Sequence, residues 1–212
     1  MSTRIVLAED HLIVRDGLRA VLEREGFEVV AEASDGLEAV EHVKQLHPEV
    51  VVLDLSMPNM NGITAAGELH KVAPRTRIVL LTVYTERQYV IGALQAGVHA
   101  FVAKSQAARD LVQAIKLVMQ GRTYLSPSIS QTVVDACLDG SSAAPDPLSP
   151  RERQVLQLVA EGKTTKEAAW ILGISVKTAE SHRTRIMGKL DVHDTASLVR
   201  YAIRSGVVTP EA

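Results

Sequence analysis

Aromatic residues and cysteine are scarce in this chain. Phe, Trp and Tyr make up 3% of it, so its core must be aliphatic, and readers of single-stranded nucleic acid that stack bases on aromatic side chains are disfavoured. Cys137 is the single cysteine, so no disulfide can form within the chain, which favours a reducing compartment. No apolar run approaches the ~18 residues of a membrane span, and residues 1–10 resemble a short strand rather than a signal peptide. We therefore expect a cytoplasmic protein with no membrane segment.

Composition and charge divide the chain into two parts. With 212 residues, 46% hydrophobic and 23% charged, it can form one large or two small folded domains. Residues 1–147 carry 13 basic and 18 acidic side chains, whereas residues 148–212 carry 10 and 7. Only residues 148–212, with a net charge of +3, are suited to bind a polyanion, although a net charge of this size is also typical of an ordinary solvated surface. Residues 139–147 (DGSSAAPDP) offer almost nothing to bury and predict a flexible linker.

The N-terminal part alternates short β-branched runs with segments of helical period. Runs such as residues 50–53 (VVVL) are apolar on both faces, as in a parallel sheet that is covered on both sides. Five such units predict a doubly wound α/β domain with a five-stranded parallel sheet. The predicted strands are 4–8, 28–33, 50–53, 77–82 and 100–103; the predicted helices are 12–25, 36–46, 62–72, 86–96 and 107–120, with another near 128–138.

Capping residues mark four helix starts after residue 148. Two of these residues are followed three positions later by glutamate, which is the spacing of a capping box. The connection 172–175 (LGIS) is short and contains glycine, which predicts two helices joined by a tight turn. We therefore expect an all-α, four-helix domain with a helix-turn-helix. The predicted N-cap residues are Ser149, Thr164, Ser175 and Asp194.

Polar side chains stand at the ends of four predicted strands. Glu9 and Asp10 follow the first, Asp54 the third and Lys104 the fifth, and Thr82 closes the fourth. The carboxyl ends of parallel strands meet at one edge of the sheet, so these groups should gather there. Clustered carboxylates repel one another unless a cation lies among them, and oxygen ligands suit Mg²⁺. A metal beside Asp54 would let that carboxylate attack phosphorus, with Thr82 and Lys104 binding the phosphoryl oxygens.

Other interpretations apply to these residues. A single acid at a strand end more often caps the next helix, but four suitable strand ends are hard to explain in that way. A dinucleotide-binding domain would need G-x-G-x-x-G after the first strand, where residues 8–11 read AEDH and would repel a pyrophosphate. An aspartyl-phosphate phosphatase usually has an acid at the position of Ser56, so a turnover enzyme is disfavoured. Histidines such as His11 and His99 lack metal-ligand spacing and are expected to be structural.

A longer motif joins these strand ends. Residues 54–62 read DLSMPNMNG, with the two acids upstream and Thr82 and Lys104 downstream. Over about residues 3–122 the chain resembles the receiver domain of bacterial two-component response regulators. The resemblance implies a flavodoxin-like fold in which Asp54 accepts a phosphoryl group from a sensor histidine kinase.

The resemblance also implies roles for particular residues. Lys104 and Thr82 would bind the phosphoryl group on Asp54, and Thr82 would form a switch pair with Phe101. Phe101 also fits as an ordinary core aromatic. One Mg²⁺ ion would be bound, and its ligands would be Glu9, Asp10, Asp54 and the main-chain carbonyl of Ser56.

The helix predicted after Ser175 has two distinct faces at about 100° per residue. Its apolar face is formed by Val176, Ala179, Ile186 and Leu190. The opposite face is formed by Lys177, Ser181, Thr184 and Gly188, with Thr178, Glu180 and Arg185 beside it. Such a face can approach base edges and phosphates in a major groove, although it is also typical of the solvated side of a helical bundle.

The C-terminal part carries motifs of its own. The segments 148–153 (LSPRER) and 172–183 (LGISVKTAESHR) resemble the LuxR-type helix-turn-helix domain, with the helix-turn-helix at about 165–190. The resemblance implies that double-stranded DNA is a partner. The residues expected to contact it are Lys177, Thr178, Glu180, Ser181, Thr184, Arg185 and Lys189.

The two resemblances together indicate the NarL/FixJ class of response regulator. They predict a receiver domain at 1–122, a connecting helix and linker at 123–147, and a DNA-binding domain at 148–212. The expected function is a transcription factor activated by phosphorylation at Asp54, which dimerises and binds two half-sites. Two alternatives stay open. One is a phosphorylation-independent DNA-binding regulator that uses the receiver as a dimerisation scaffold, and the other is a phosphotransfer protein that acts through protein partners.

Overall fold

A computed structural model describes residues 2–138 and 146–209, with the side chains of 106–108 and 135–138 left out. Most of the predicted linker, 139–147, therefore lies outside the described residues, as does the Cys137 side chain. The described residues form two compact units. The N-terminal unit contains a sheet with helices, and the C-terminal unit is entirely helical.

The N-terminal unit is built on a parallel sheet. Its strands are β1 (Arg4–Ala8), β2 (Glu28–Ala33), β3 (Val50–Asp54), β4 (Arg77–Thr82), β5 (Ala100–Ala103) and β6 (Tyr124–Leu125). Their order in the sheet is β2-β1-β3-β4-β5-β6. The chain winds outward from β1 in both directions, so a topological switch point lies between β1 and β3. The prediction of five strands was one short, because a sixth strand of two residues follows the fifth helix.

Helices cover both faces of this sheet, as the doubly apolar strands predicted. Leu18 and Leu22 of the first helix and Leu111 and Ile115 of the fifth pack with the strands in one aliphatic core. The second, third and fourth helices contact one another in sequence. A short 3-10 turn, Lys104–Gln106, follows β5. The helices are α1 (Leu12–Arg24), α2 (Gly36–Leu46), α3 (Gly62–Val72), α4 (Arg87–Gln95), α5 (Ala107–Met119) and α6 (Pro127–Leu138).

The strand register brings the predicted site residues to one edge. Ala8 lies opposite Leu53, so Glu9 follows β1 where Asp54 ends β3. Thr82 lies opposite Ala103, the residue before Lys104. These pairings place the ends of β1, β3, β4 and β5 side by side.

The C-terminal unit consists of four helices, each with the N-cap residue that the sequence predicts. The Ser149 and Thr164 side chains form complete capping boxes with Glu152 and Glu167. Ser175 and Asp194 each accept a hydrogen bond from a first-turn N–H. The helices are α7 (Pro150–Ala160), α8 (Thr165–Ile171), α9 (Val176–Leu190) and α10 (Thr195–Arg204). Within the described parts of the chain, no helix has the length and apolarity needed to cross a membrane.

Candidate functional site

Three carboxylates and one ammonium group meet at the carboxyl edge of the sheet. The side chain of Glu9 is fully buried, that of Asp54 is nearly so, and Asp10 is half-buried. Lys104 Nζ lies 2.7 Å from Glu9 Oε2 and 2.9 Å from Asp54 Oδ1. A single lysine at the end of β5 thus links the ends of β1 and β3.

The charges at this edge do not balance. Burial raises the pKa of Asp54 from 3.8 to about 6, although the Lys104 charge opposes the shift. Burial lowers the pKa of Lys104, but its contacts with Asp54 and Glu9 outweigh burial and raise that pKa overall. The lysine is therefore charged, and ionisation of all three carboxylates leaves an excess of negative charge.

This donor set fits a hard divalent cation. Mg²⁺ prefers carboxylate and carbonyl oxygens and usually keeps several waters, so a few partly solvated carboxylates suffice. Asp10 is accessible enough to receive such an ion, and Ser56 follows Asp54 by two residues and is half-buried. Gly62 keeps the loop close to β3, because a Cβ there would lie 2.2 Å from the Asp54 carbonyl oxygen.

His11 belongs to this cluster, contrary to the expectation of a purely structural histidine. Its Nδ1 lies 2.9 Å from Asp10 Oδ1 and 3.3 Å from Glu9 Oε1. The charge of Asp10 is the largest cause of a raised pKa for His11. In the sequence, this placement is indicated only by the position of His11 directly after Glu9 and Asp10, because the histidines do not have the spacing of a His-rich metal site.

Thr82 ends β4 next to the acidic edge, and Phe101 is the second residue of the neighbouring strand β5. Thr82 is buried, and its Oγ1 accepts a hydrogen bond of 2.8 Å from the Tyr84 main-chain N–H. Phe101 is also buried. In this conformation the threonine hydroxyl is bonded to the β4–α4 loop, and the aromatic ring lies inside the domain.

The second candidate site is the exposed face of α9. All seven residues predicted to contact DNA are solvent-exposed, and the glycine at 188 is exposed among them. Ala179 and Ile186 are buried on the opposite side. Val176 is an exception to the predicted apolar face, since 43% of it is exposed. It lies about 60° from the centre of the buried stripe on a helix of 100° per residue, in a first turn with little to cover it.

Two basic residues of α9 form polar contacts with other helices of the C-terminal unit. Lys189 Nζ lies 2.7 Å from Oε2 of the buried Glu152, at the far end of α9 from Lys177. Arg183 donates hydrogen bonds to Thr165 Oγ1 at 3.4 Å and Thr195 Oγ1 at 2.7 Å, which joins α8, α9 and α10. Lys189 therefore has a structural partner besides its predicted role at DNA.

Two family models match the chain in the order that the motifs predicted. The response regulator receiver domain matches residues 5–116. The luxR family of bacterial regulatory proteins matches residues 146–202. The chain therefore belongs to the two-component response regulators that combine a receiver domain with a LuxR-type helix-turn-helix.

Several known proteins match this chain along nearly its whole length. Oxygen regulatory protein NreC of Staphylococcus epidermidis is 36% identical over 211 residues, which cover 95% of this chain and 97% of NreC. Transcriptional regulatory protein MctR of Rhizobium johnstonii is 35% identical, with coverage of 97% and 95%. The structure of RcsB from Salmonella enterica serovar Typhimurium, bound to a promoter in the presence of the phosphomimetic BeF3⁻, is 30% identical. It covers 98% of this chain and 100% of RcsB at a TM-score of 0.62. The chain is a DNA-binding response regulator.

Proposed function

We propose that Asp54 accepts a phosphoryl group from a sensor histidine kinase and that this modification controls DNA binding through α9. The observation that carries the proposal is the position of Lys104, whose ammonium group contacts the buried Glu9 and Asp54 together. Lys104 can thus hold an oxygen of a phosphoryl group on Asp54 by a charge-assisted hydrogen bond. Thr82, at the end of the neighbouring strand, supplies a hydroxyl for a second oxygen.

The proposed chemistry is a transfer to the protein's own side chain. A carboxylate oxygen of Asp54 forms a bond to phosphorus while the bond from phosphorus to the donor breaks, and the electron pair leaves with the donor. The product is an acyl phosphate on Asp54, which is slowly hydrolysed back to the carboxylate, and turnover of a separate substrate is not part of the proposed function. Glu9, Asp10, Asp54 and the Ser56 carbonyl would hold Mg²⁺, which when bound neutralises phosphoryl charge. Lys104 would exchange its contact with Asp54 for one with the new phosphoryl oxygen.

The proposed DNA site is the outer face of α9. Lys177 and Arg185 are exposed on it and would bind phosphates, whereas Ser181 and Thr184 would face base edges. We propose that two chains bind as a phosphorylation-dependent homodimer, with half-sites about 34 Å apart along the helix axis. Structures of RcsB support this, because in one the protein is bound to a promoter in the presence of a phosphomimetic and in another two RcsB dimers are bound to two parallel DNAs. A DNA-binding regulator acts where the chromosome is, so we place the protein in the cytoplasm.

Intact mass tests the phosphoacceptor. The full chain is incubated with Mg²⁺ and acetyl phosphate, alongside Asp54→Ala and the matched control Asp16→Ala, which removes an exposed aspartate of α1. We expect one phosphoryl adduct on the wild type and the control, and none on Asp54→Ala. An equal adduct on Asp54→Ala would refute the assignment. A wild type that gains no adduct and fails to bind BeF3⁻ with Mg²⁺ would instead favour the receiver as a dimerisation scaffold.

A further inference from the structure

Ser126 lies at the centre of a buried hydrogen-bond network behind the acidic edge. It is fully buried, between β6 and the start of α6. Its main-chain N–H donates to the Phe101 carbonyl at 3.0 Å. Its hydroxyl oxygen accepts a hydrogen bond of 3.1 Å from the Ala103 N–H, and the hydroxyl donates one of 3.0 Å to Asp110 Oδ2. One serine thus contacts β5 at two points and α5 at a third.

The Ala103 amide needs this partner because β6 is too short to reach it. The two residues of β6 lie opposite Ala100 and Phe101, so the ladder stops before the end of β5. A buried N–H that lacks a partner costs about 1–3 kcal/mol. The Ser126 hydroxyl supplies the acceptor that a longer β6 would have supplied.

Asp110 fixes the direction of that hydroxyl. Asp110 is buried in the first turn of α5 and accepts a hydrogen bond from the Ser126 hydroxyl, so the lone pairs of the serine oxygen can accept one from the Ala103 N–H. Tyr124 of β6 adjoins the same carboxylate: burial and then Asp110 raise the pKa of its phenol. At the other end of the residue, the Ser126 carbonyl accepts hydrogen bonds of 2.9 Å from both Ile129 and Ser130 in α6.

We propose that Ser126, oriented by Asp110, is a positioning residue that holds the end of β5 so that Lys104 reaches the phosphoryl group on Asp54. Ala103 directly precedes Lys104, and the chain turns into a 3-10 helix at that lysine. Constraint of the Ala103 amide therefore fixes the point from which the lysine side chain starts. This inference rests on the phosphoryl-binding role proposed for Lys104.

Binding of BeF3⁻ in the presence of Mg²⁺, measured by calorimetry on the full chain, tests the proposal. Ser126→Ala removes only the hydroxyl, and Lys104→Ala serves as the reference. Thr76→Val is the matched control, because Thr76 is a buried hydroxyl bonded to the Pro48 carbonyl at 2.9 Å, at the other end of the sheet. We expect Ser126→Ala to weaken BeF3⁻ binding about tenfold, since a small misplacement of a binding group has large effects. Mg²⁺ affinity and the Thr76→Val variant should remain at wild-type values.

A double variant separates positioning from general destabilisation. With Lys104→Ala already present, Ser126→Ala should cause no further loss, because it acts through that lysine. Asp110→Ala should resemble Ser126→Ala, whereas Asp110→Asn keeps an acceptor oxygen and should retain most of the affinity. Wild-type affinity in Ser126→Ala and Asp110→Ala, or an equal loss in the Lys104→Ala background, would overturn the inference. Failure of the wild type itself to bind BeF3⁻ would count against the proposed function instead.

Discussion

Replacement of Asp54 by asparagine is expected to stabilise the metal-free N-terminal unit. Burial raises the pKa of Asp54 from 3.8 to about 6, so ionisation of this group is harder in the folded chain than in the unfolded chain. A difference of about 2 pKa units corresponds to ~3 kcal/mol at 1.36 kcal/mol per unit. Asparagine has the shape of the protonated side chain and carries no charge. Asp54→Asn should therefore raise the free energy of unfolding at pH 8 by ~3 kcal/mol.

The pH dependence identifies the cause of this stabilisation. The folded pKa lies above the unfolded value, so the contribution of Asp54 to wild-type stability is greatest below pH 3.8 and falls as the pH rises to about 6. Asp54→Asn lacks this loss. The wild type and Asp54→Asn should be equally stable below pH 3.8. Their stabilities should diverge between pH 3.8 and about 6, and the difference should stay constant above that pH. Added Mg²⁺ should stabilise the wild type far more than the variant, because a ligand that binds only the folded chain raises its stability.

Urea denaturation in EDTA, followed by circular dichroism, measures this difference. Asp54 lies in the N-terminal unit, so the transition of the C-terminal unit should not change. Asp16→Asn, an exposed change on α1, should alter stability by less than about 0.5 kcal/mol. The reasoning would be refuted if Asp54→Asn and the wild type were equally stable at pH 8, or if their difference did not vary with pH.

Two further predictions concern the C-terminal unit. Lys177→Ala and Arg185→Ala should each weaken DNA binding and reduce the slope of log affinity against log salt concentration by about 0.9, because one phosphate contact is lost. Anisotropy titrations measure this slope, and Lys71→Ala, which changes an exposed lysine of the N-terminal unit, is the control. If the α9 variants had the same slope as Lys71→Ala, α9 would not be the helix in the groove. Glu152→Gln should cost about 2 kcal/mol because the buried acceptor of Lys189 loses its charge. Burial opposes ionisation of Glu152, but hydrogen bonds from Lys189 and from the N-cap residue Ser149 outweigh it and lower the pKa of Glu152 to about 2. The contribution of Glu152 to wild-type stability should therefore be lost as the pH falls from 4.5 towards 2. Urea denaturation of the two proteins, followed by circular dichroism, would contradict this if their stabilities changed in the same way with acid pH.

Much of the fold follows from local patterns. The predicted bounds of β1, β2, β4 and β5 agree with the structure. Because β1, β4 and β5 are buried on both faces, their sequences are nearly continuous apolar runs; β2 lies at the edge of the sheet and is only partly buried. All four helix starts in the C-terminal unit were predicted from N-cap residues, whose hydrogen bonds involve only the next three positions. Since parallel strands end at one edge, the approach of Asp54 to Lys104 was also predictable.

The remaining features depend on contacts that no local pattern records. β6 is only two residues long, so it has no periodicity of its own, and it is held by its pairing with β5. The ion pair between Lys189 and Glu152 joins residues on different helices, and the burial of Glu152 is decided by packing. Ser126 precedes a helix, where a serine normally indicates a cap, but its hydroxyl contacts β5 and α5 instead, which only the tertiary structure reveals.

The central claim is that a phosphoryl group on Asp54 controls DNA binding by α9. Fluorescence anisotropy tests it with a DNA duplex that the wild-type chain has selected from a random pool in the presence of BeF3⁻ and Mg²⁺. Affinity for this duplex is measured for the wild type and Asp54→Asn, with and without BeF3⁻. We predict that BeF3⁻ raises wild-type affinity about tenfold and leaves Asp54→Asn unchanged. Equal affinities in all four measurements would contradict the claim and indicate that DNA binding is independent of the receiver site.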